Sequence, residues 1–564
     1  MRRPSVLLTS VFGPFGLDDA YGRKENVLEL FHNQVTREQG LFSLRFNHQS
    51  FGLYLMAENI EAPTTVLDFP SQARFIRELR KGYDYVGISF IVPNFAKAQR
   101  MAALVREHAP KSQIILGGHG TRIPRVETLI EHDHICRGEG VFWLRRLLGE
   151  DLDRPVVHPV IASSFNKRML GIPLAVDAAV LLPGVGCPNQ CRFCATSHFF
   201  DKRYTPYFDT GRALFDICRK VEDQTGHTDF FVMDENFLKR PERARELLAL
   251  MEEHDKTYRF GLFSSAETIR DVGVDFLARL GVYFLWIGVE SKVEVFEKNL
   301  GVDLGAMIRE LKGNGISVLA SGILFLEHHD LATIWEDIEY VSSLGADFVQ
   351  FMQLGPLPGT QLYREYDRKG MLRKDLPYEE WHGQHRIWFT HPNFTPAQTE
   401  NLIRRAFQYE YDTNGPSLLR MFETTLLGLR ALADTRDPYL LHRRRNMERE
   451  ARHVRPALSV ILRHAHNERS RDLAREVIRA YDETLGEPGL KQRLLTVVAG
   501  AAALREAMRV AVGANVYQPK TFRTRYRWGA KQRASEQVSG RGPKRPAIEM
   551  DWGQRAARVA PTND

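Results

Sequence analysis

The sequence predicts an α/β protein built on parallel sheets, followed by a helical C-terminal region. Three observations carry this. Short apolar runs alternate with helical patterns through the first 150 residues. The same alternation recurs six times between about residues 175 and 370. After Trp381 strand signals fade and helical periodicity takes over. Strands that alternate with helices form βαβ units, and these assemble into parallel sheets. The 564 residues are 43% hydrophobic, 26% charged and 10% aromatic. That composition excludes a wholly disordered chain, a collagen and a disulfide-dense miniprotein, and the length allows several domains.

In the first domain, residues 1–150, Val6–Phe12 is an apolar run closed by Gly13 and Pro14. Tyr83–Ile91 is a second run, and Gln113–Leu116 a third that ends in Gly117-Gly118. Phe95–His108 has helical spacing and is closed by Pro110. Residues 151–172 contain Pro155 and Pro159, show little periodicity and read as a linker. In the second domain, 173–380, the expected strands are Ala178–Leu182, Asp229–Met233, Phe260–Phe263, Tyr283–Val289, Ser317–Phe325 and Phe348–Met352. Helical patterns cover Arg212–Gln224, Arg240–His254, Ile269–Leu280, Val302–Gly313 and Leu331–Leu344, with a weaker one after Thr360. Six parallel strands make either an open doubly wound sheet or a partial barrel, and periodicity leaves both open. Residues 381–516 read as a helical domain, in which the charged run 442–455 is a solvated face. Residues 517–564 have low hydrophobicity and scattered Gly and Pro, and read as a disordered basic tail.

Net charge is +7, and the segment from Tyr517 to Asp564 carries 11 Lys and Arg against 4 Asp and Glu, a surplus of seven. The rest of the chain is balanced, which removes most support for nucleic-acid binding. Only KTFRTRYRWGAKQR, with its interleaved basic and aromatic residues, suits RNA or another acidic partner. MRRPSVLLTSVFGPFG lacks the apolar core of a signal peptide, and no apolar stretch reaches the roughly 18 residues of a membrane span. A cytoplasmic protein is expected.

Five cysteines are too few for a disulfide framework. Cys187, Cys191 and Cys194 stand at C-x3-C-x2-C spacing in GVGCPNQCRFC, directly after the first strand of the second domain. A loop of this kind can wrap three thiolates around one inorganic centre. Structural zinc takes four protein ligands, and His198 is the local candidate for a fourth. A [4Fe–4S] cluster usually takes four thiolates, so three would leave one iron open to a small molecule. Cys136 and Cys218 are isolated and read as small buried residues.

GCPNQCRFC, with Phe193 before its last cysteine, resembles the signature of the radical S-adenosylmethionine superfamily. FFVMDENFL (230–238), SSAET (264–268), GVES (288–291), GILF (322–325) and FMQLGPLPGTQLY (351–363) resemble that family's later strand ends. The resemblance implies a partial (β/α)6 barrel and a [4Fe–4S] cluster on the three cysteines. It also implies S-adenosylmethionine contacts at Asp234, Glu235, Ser264, Ser265, Glu267 and Glu290. Asp234 and Glu235 read as positioning residues at a loop tip. For Glu290 a cofactor contact and a salt bridge to a nearby Lys or Arg both stay open.

IILGGHGTRIP (114–124) and ICRGEGVFWL (135–144) resemble segments of cobalamin-binding domains found upstream of such cores. This implies a Rossmann-like cobalamin domain with contacts at Ser89, Gly117, Gly118, His119, Gly138, Glu139 and Gly140. The G-x-G-x-x-G pattern of dinucleotide sites is absent from these positions. So is Asp-x-His-x-x-Gly, so a base-off cobalamin is implied. The resemblance as a whole implies a cobalamin-dependent methyltransferase that acts on an unactivated carbon through a 5′-deoxyadenosyl radical. A small-molecule or peptide substrate and a flavodoxin- or ferredoxin-like electron donor follow from it. Non-methylating cyclisation or oxidative rearrangement with the same cofactors, and a metal-bound interaction module, are the alternatives. No catalytic side chain is legible.

Overall fold

The computed structural model describes residues 3–13, 30–174, 178–235, 237–293, 296–512 and 521–527. These divide into two units. One lies within Met1–Phe15, Ser50–Pro159 and Gln518–Asp564, the other within Gly16–Gln49 and Val160–Tyr517. The boundaries expected from sequence are therefore corrected. Part of the first 50 residues belongs to the second unit, and the first unit runs past residue 150 to Pro159 and takes in the segment from Gln518.

In the first unit, β1 (Val6–Ser10), β2 (Thr64–Asp68), β3 (Tyr85–Ser89), β4 (Gln113–Gly117) and β5 (His134–Ile135) form a parallel sheet in the order 2-1-3-4-5. The order reverses at β1, which makes the carboxyl ends of β1 and β3 a topological switch point. β1 and β2 are buried along their whole length, as strands covered on both faces must be. β2 is not among the expected strands because Thr64 and Thr65 interrupt its apolar signal. Both are nonetheless buried, and β-branched side chains suit a strand. The helix Phe95–His108 has the predicted bounds and buries Ala98, Met101, Ala102 and Val105.

In the second unit, β6 (Ala178–Leu181), β7 (Asp229–Val232), β8 (Arg259–Ser264), β9 (Val282–Glu290), β10 (Ser317–Leu324) and β11 (Phe348–Gln353) are all parallel. Each pairs with its predecessor in sequence. The absence of any reversal rules out the doubly wound alternative. The expected helix Ile269–Leu280 is two helices, Ala266–Val272 and Val274–Leu280, broken at Gly273 with φ +84°. The expected linker 151–172 is no linker at its second half. Its strands Phe165–Met169 and Ile172–Pro173 join Arg45–Asn47 in a small antiparallel sheet.

The C-terminal region is helical as expected, with Pro396–Asn414, Ser417–Ala431, Pro438–His464, Glu468–Leu485 and Leu490–Ala511. Leu418, Leu419, Phe422, Leu458 and Ile461 anchor its core. The run 442–455 is not a purely solvated face, since Arg455 is buried and pairs with Asp482 at 3.0 Å. The tail is also corrected. Phe522–Tyr526 is a strand, β12, paired antiparallel with β2 at the edge of the first sheet. FRTRY alternates with period two, and a low mean hydropathy masked that pattern. The rest of the tail, apart from residues 521–527, lies outside the described residues. Among the described residues no helix is long and apolar enough to cross a membrane.

Candidate functional site

Beyond β6, Gly184–Val185 pairs antiparallel with Thr205–Pro206 and closes a loop that holds all three clustered cysteines. Gly186 in this loop has φ +89°, and a Cβ there would collide with the Arg203 carbonyl, so only glycine fits. The Cys194 N–H donates to the Cys191 carbonyl at 3.0 Å, and Ser197 Oγ donates to the Cys187 carbonyl at 2.8 Å. A backbone bond thus ties Cys194 to Cys191, and the Ser197 side chain ties the segment after Cys194 to Cys187. His198 Nδ1 lies 3.0 Å from the Cys194 carbonyl, so one of its two ring nitrogens is engaged there. Burial raises all three thiols above the usual range, Cys194 to about 11. They ionise when a metal displaces the protons. Three soft thiolates in one loop fit an iron–sulfur cluster.

The strand ends beside this loop hold the other expected residues. Asp234, after β7, is buried and accepts from Tyr204 Oη at 2.6 Å and Arg243 Nη2 at 3.0 Å, while Arg243 Nη1 donates to Tyr204 Oη at 3.0 Å. Through these bonds Asp234 ties the β7 loop to the end of the cysteine loop. Glu235 next to it is exposed. After β8, Ser264 Oγ reaches the Ser265 carbonyl at 3.4 Å, and Ser265 Oγ donates to Glu267 Oε1 at 2.8 Å. Lys239, which sequence reasoning missed, joins the two loops. Its Nζ donates to Asn189 Oδ1, between Cys187 and Cys191, at 2.6 Å and to Glu267 Oε1 at 3.4 Å. Glu267 Oε2 is buried without a hydrogen-bond partner among the described residues, so it has capacity for a donor on a bound molecule.

At the end of β9 the pairing with β10 shifts register between Gly288 and Glu290, and Glu290 has φ +68°. A bulge of this kind re-aims a side chain. Here it turns buried Glu290 onto Lys298, with which it forms an ion pair. Gly288 leaves room for that pair, since a Cβ would meet both Glu290 Oε1 and Lys298 Nζ. Burial disfavours the Lys298 charge, yet Glu290 outweighs this and holds it above its ordinary value. Glu290 thus makes a salt bridge to Lys298, one of the two readings left open for it.

Asn299 Nδ2 donates to the Gly288 carbonyl at 3.1 Å and the Val289 carbonyl at 2.8 Å. Asp337 Oδ1 accepts the Lys292 N–H at 2.7 Å, and its Oδ2 accepts from His329 Nε2 at 2.9 Å. His329 Nδ1 in turn accepts the Leu326 N–H at 3.1 Å. His328, His329 and Asp337 lie close enough to hold an ion, but both ring nitrogens of His329 are already engaged. Lys298, Asn299, His329 and Asp337 carried no sequence signal, because a polar residue distant in sequence shows its partner only in the fold.

An aromatic layer covers one face of this sheet. Phe31 packs on Phe284, Trp286 and Phe348 at centroid distances of 6.1, 6.4 and 5.4 Å. Trp286 Nε1 donates to Ser321 Oγ at 2.6 Å, Ser321 Oγ to Gln350 Oε1 at 2.8 Å, and Gln350 Nε2 to Gln34 Oε1 at 3.0 Å.

In the first unit, Ser89, Gly117, Gly118 and His119 stand at the carboxyl ends of β3 and β4, and Gly138-Glu139-Gly140 follow β5. Several have reasons that lie within the fold. Gly118 has φ +85°, and a Cβ would sit 2.5 Å from the Phe90 carbonyl. Glu139 caps the helix Gly140–Leu148 by accepting the Val141 and Phe142 N–H groups at 2.6 and 2.8 Å. A Cβ on Gly140 would press on Met56 Sδ at 2.5 Å. Gly117 differs, since a Cβ there meets nothing within 4 Å. Burial, with Arg122 adding to it, pushes His119 down to about 4, so its ring is neutral near pH 7. The open side of Gly117 and a neutral imidazole suit a large uncharged ring system.

No family model matches the chain. It is 24% identical over 330 residues to bacteriochlorophyllide d C-8(2)-methyltransferase of Chlorobaculum tepidum, covering 53% of this chain and 71% of that protein. It is 21% identical over 379 residues to an uncharacterised methyltransferase of Pyrococcus horikoshii, covering 60% and 81%. It is 22% identical over 232 residues to cytidylyl-2-hydroxyethylphosphonate methyltransferase of Streptomyces wedmorensis, covering 38% of this chain and under half, 42%, of that one. The chain is similar in sequence to methyltransferases. A solved structure of TsrM from Kitasatospora setae, a radical S-adenosylmethionine methyltransferase with cobalamin and a [4Fe–4S] cluster bound, matches with a TM-score of 0.48 at 16% identity. That match covers 80% of this chain and 100% of TsrM. A second TsrM structure, with tryptophan and a S-adenosylmethionine analogue, matches with a TM-score of 0.49 at 15% identity, covering 76% and 96%.

Proposed function

We propose that the chain is a cobalamin-dependent radical S-adenosylmethionine methyltransferase that acts on an unactivated carbon of a small molecule or peptide. The observation that carries this reading is the cysteine loop at the carboxyl end of β6, in a chain related to methyltransferases. Six parallel strands in sequence order suit a partial (β/α)6 barrel, with the cofactor-bearing loops at the strand carboxyl ends. Cys187, Cys191 and Cys194 would hold a [4Fe–4S] cluster, and the strand ends of the first unit would hold cobalamin in a Rossmann-like domain. When bound, the cluster supplies an electron to S-adenosylmethionine and cobalamin supplies a methyl group.

The chain's own residues bind and orient. Glu267 has a free acceptor for an ammonium or hydroxyl group. Ser264, Ser265, Asp234 and Glu235 flank it on the neighbouring strand ends. Glu290 fixes Lys298 at the edge of the site. The aromatic layer from Phe31 to Phe348 excludes water from one face of the sheet, as radical chemistry requires. A flavodoxin- or ferredoxin-like donor in a reducing cytoplasm would supply the electrons, in keeping with five free cysteines.

Anaerobic reconstitution of the full chain tests the reading. About four irons and one cobalamin per chain, with reductant-dependent consumption of S-adenosylmethionine, support it. Stoichiometric zinc without iron, or a reconstituted protein that leaves S-adenosylmethionine intact, overturns it.

A further inference from the structure

The last helix of the second unit, Leu490–Ala511, leaves most of its large apolar residues exposed. Ala499, Ala503 and Glu506 are buried, whereas Leu490, Leu494, Val497, Leu504 and Met508 are between 56% and 76% exposed. A surface helix ordinarily buries its apolar stripe, and a contiguous exposed patch of this kind marks an interaction site.

The spacing says what covers it. Leu490, Leu494, Val497, Ala501, Leu504 and Met508 alternate steps of four and three residues, the 3.5-residue period of a seam read by another helix. No charge interrupts the seam. The stripe is also complementary to itself. Leu494 and Met508 lie seven residues to either side of Ala501, and Leu490 and Val512 eleven. A two-fold axis at Ala501 sets Leu494 on the partner subunit's Met508 and Leu490 on the partner subunit's Val512. Gly500 and Ala501 are small enough at the crossing for close approach. The same antiparallel arrangement lays Lys491 on the partner subunit's Ala511 and Arg505 on the partner subunit's Val497, and Arg493 facing the partner subunit's Arg509 is the one like-charge pair it sets opposite. A stable interface takes roughly 800 Å² from each partner, and the exposed apolar side chains from Leu490 to Val512 supply surface toward it.

We propose that two copies of this chain associate antiparallel through the exposed face of Leu490–Ala511. Sedimentation of the full chain at about 10 µM, a concentration that populates a dimer of micromolar affinity, should give twice the chain mass. Leu494→Glu combined with Met508→Glu should give the chain mass, with helix content and iron uptake unchanged. Should that variant misfold, Ala501→Cys provides a second reading, because its position on the axis predicts a covalent dimer on mild oxidation. A monomeric full chain overturns the proposal, as does a dimer indifferent to the double substitution and uncrosslinked through position 501. A monomer that dimerises only after removal of residues 528–564 assigns the face to the chain's own tail and also overturns it.

Discussion

Arg523 and Glu78 form a bidentate ion pair, with Nη2 to Oε1 at 2.8 Å and Nε to Oε2 at 2.9 Å. It fastens β12 to the helix Gln72–Leu79 of the first unit. Tyr83 Oη at 2.6 Å and Lys81 Nζ at 2.7 Å complete the shell around Glu78. The guanidinium is thus the tail's anchor, and both partners are nearly buried.

The tail should therefore matter to the first unit. Truncation after Val516 strips β12 from β2 and leaves an open edge, which invites aggregation. Arg523→Ala keeps the strand but leaves a buried carboxylate without its main partner, a loss of about 3 kcal/mol. Chemical denaturation of the first unit's transition should show the loss, and unchanged midpoints in both variants would sink this role.

The same pair sets an acid limit. Burial raises the Glu78 carboxyl, but Arg523, Lys81 and Tyr83 outweigh it and bring it from 4.5 down to about 2. A carboxylate depressed on folding stabilises fully above its unfolded value and loses that contribution as pH falls through its folded one. The gap in stability between the native chain and Arg523→Ala should be constant above pH 4.5 and close progressively towards pH 2. Denaturation midpoints at pH 7, 4.5 and 3 measure it.

Cys187→Ala, Cys191→Ala and Cys194→Ala should each abolish the brown absorbance of the reconstituted protein and its consumption of S-adenosylmethionine. Circular dichroism should stay native, because none of the three thiols holds a helix or strand together. Full iron content in any one of them would remove that residue from the ligand set.

Lys298→Met should strand Glu290 as a buried charge and lower stability by about 3 kcal/mol. Adding Glu290→Gln should restore most of it, since an amide tolerates the loss of the cation. If the single variant is as stable as the native chain, the pair does not hold the β9 bulge.

The two neighbouring glycines should behave differently. Gly118→Val forces a positive φ and a collision with the Phe90 carbonyl, so it should lower the melting temperature of the first unit. Gly117→Val has open space around its Cβ and should leave the fold intact while weakening hydroxocobalamin binding. Equal binding by Gly117→Val and the native chain would move cobalamin away from this strand end.

What the sequence determined by itself was the local chemistry and the strand count of the second unit. Six apolar runs from Ala178 to Met352 became β6–β11 with ends shifted by at most one residue, because period and burial are local signals. The cysteine spacing was equally legible, since all three thiols fall in one loop. The tertiary structure alone decided the rest. Strand order separated a sequential sheet from a doubly wound one, and periodicity does not encode order. Glu290 met Lys298, Lys239 met Asn189 and Glu267, and Asp337 met His329 and Lys292 only after distant loops were brought to the same sheet edge. Phe522–Tyr526 read as disordered tail because its arginines depress hydropathy. The strand became favourable only once β2 offered backbone partners and Glu78 offered Arg523 a buried counter-charge.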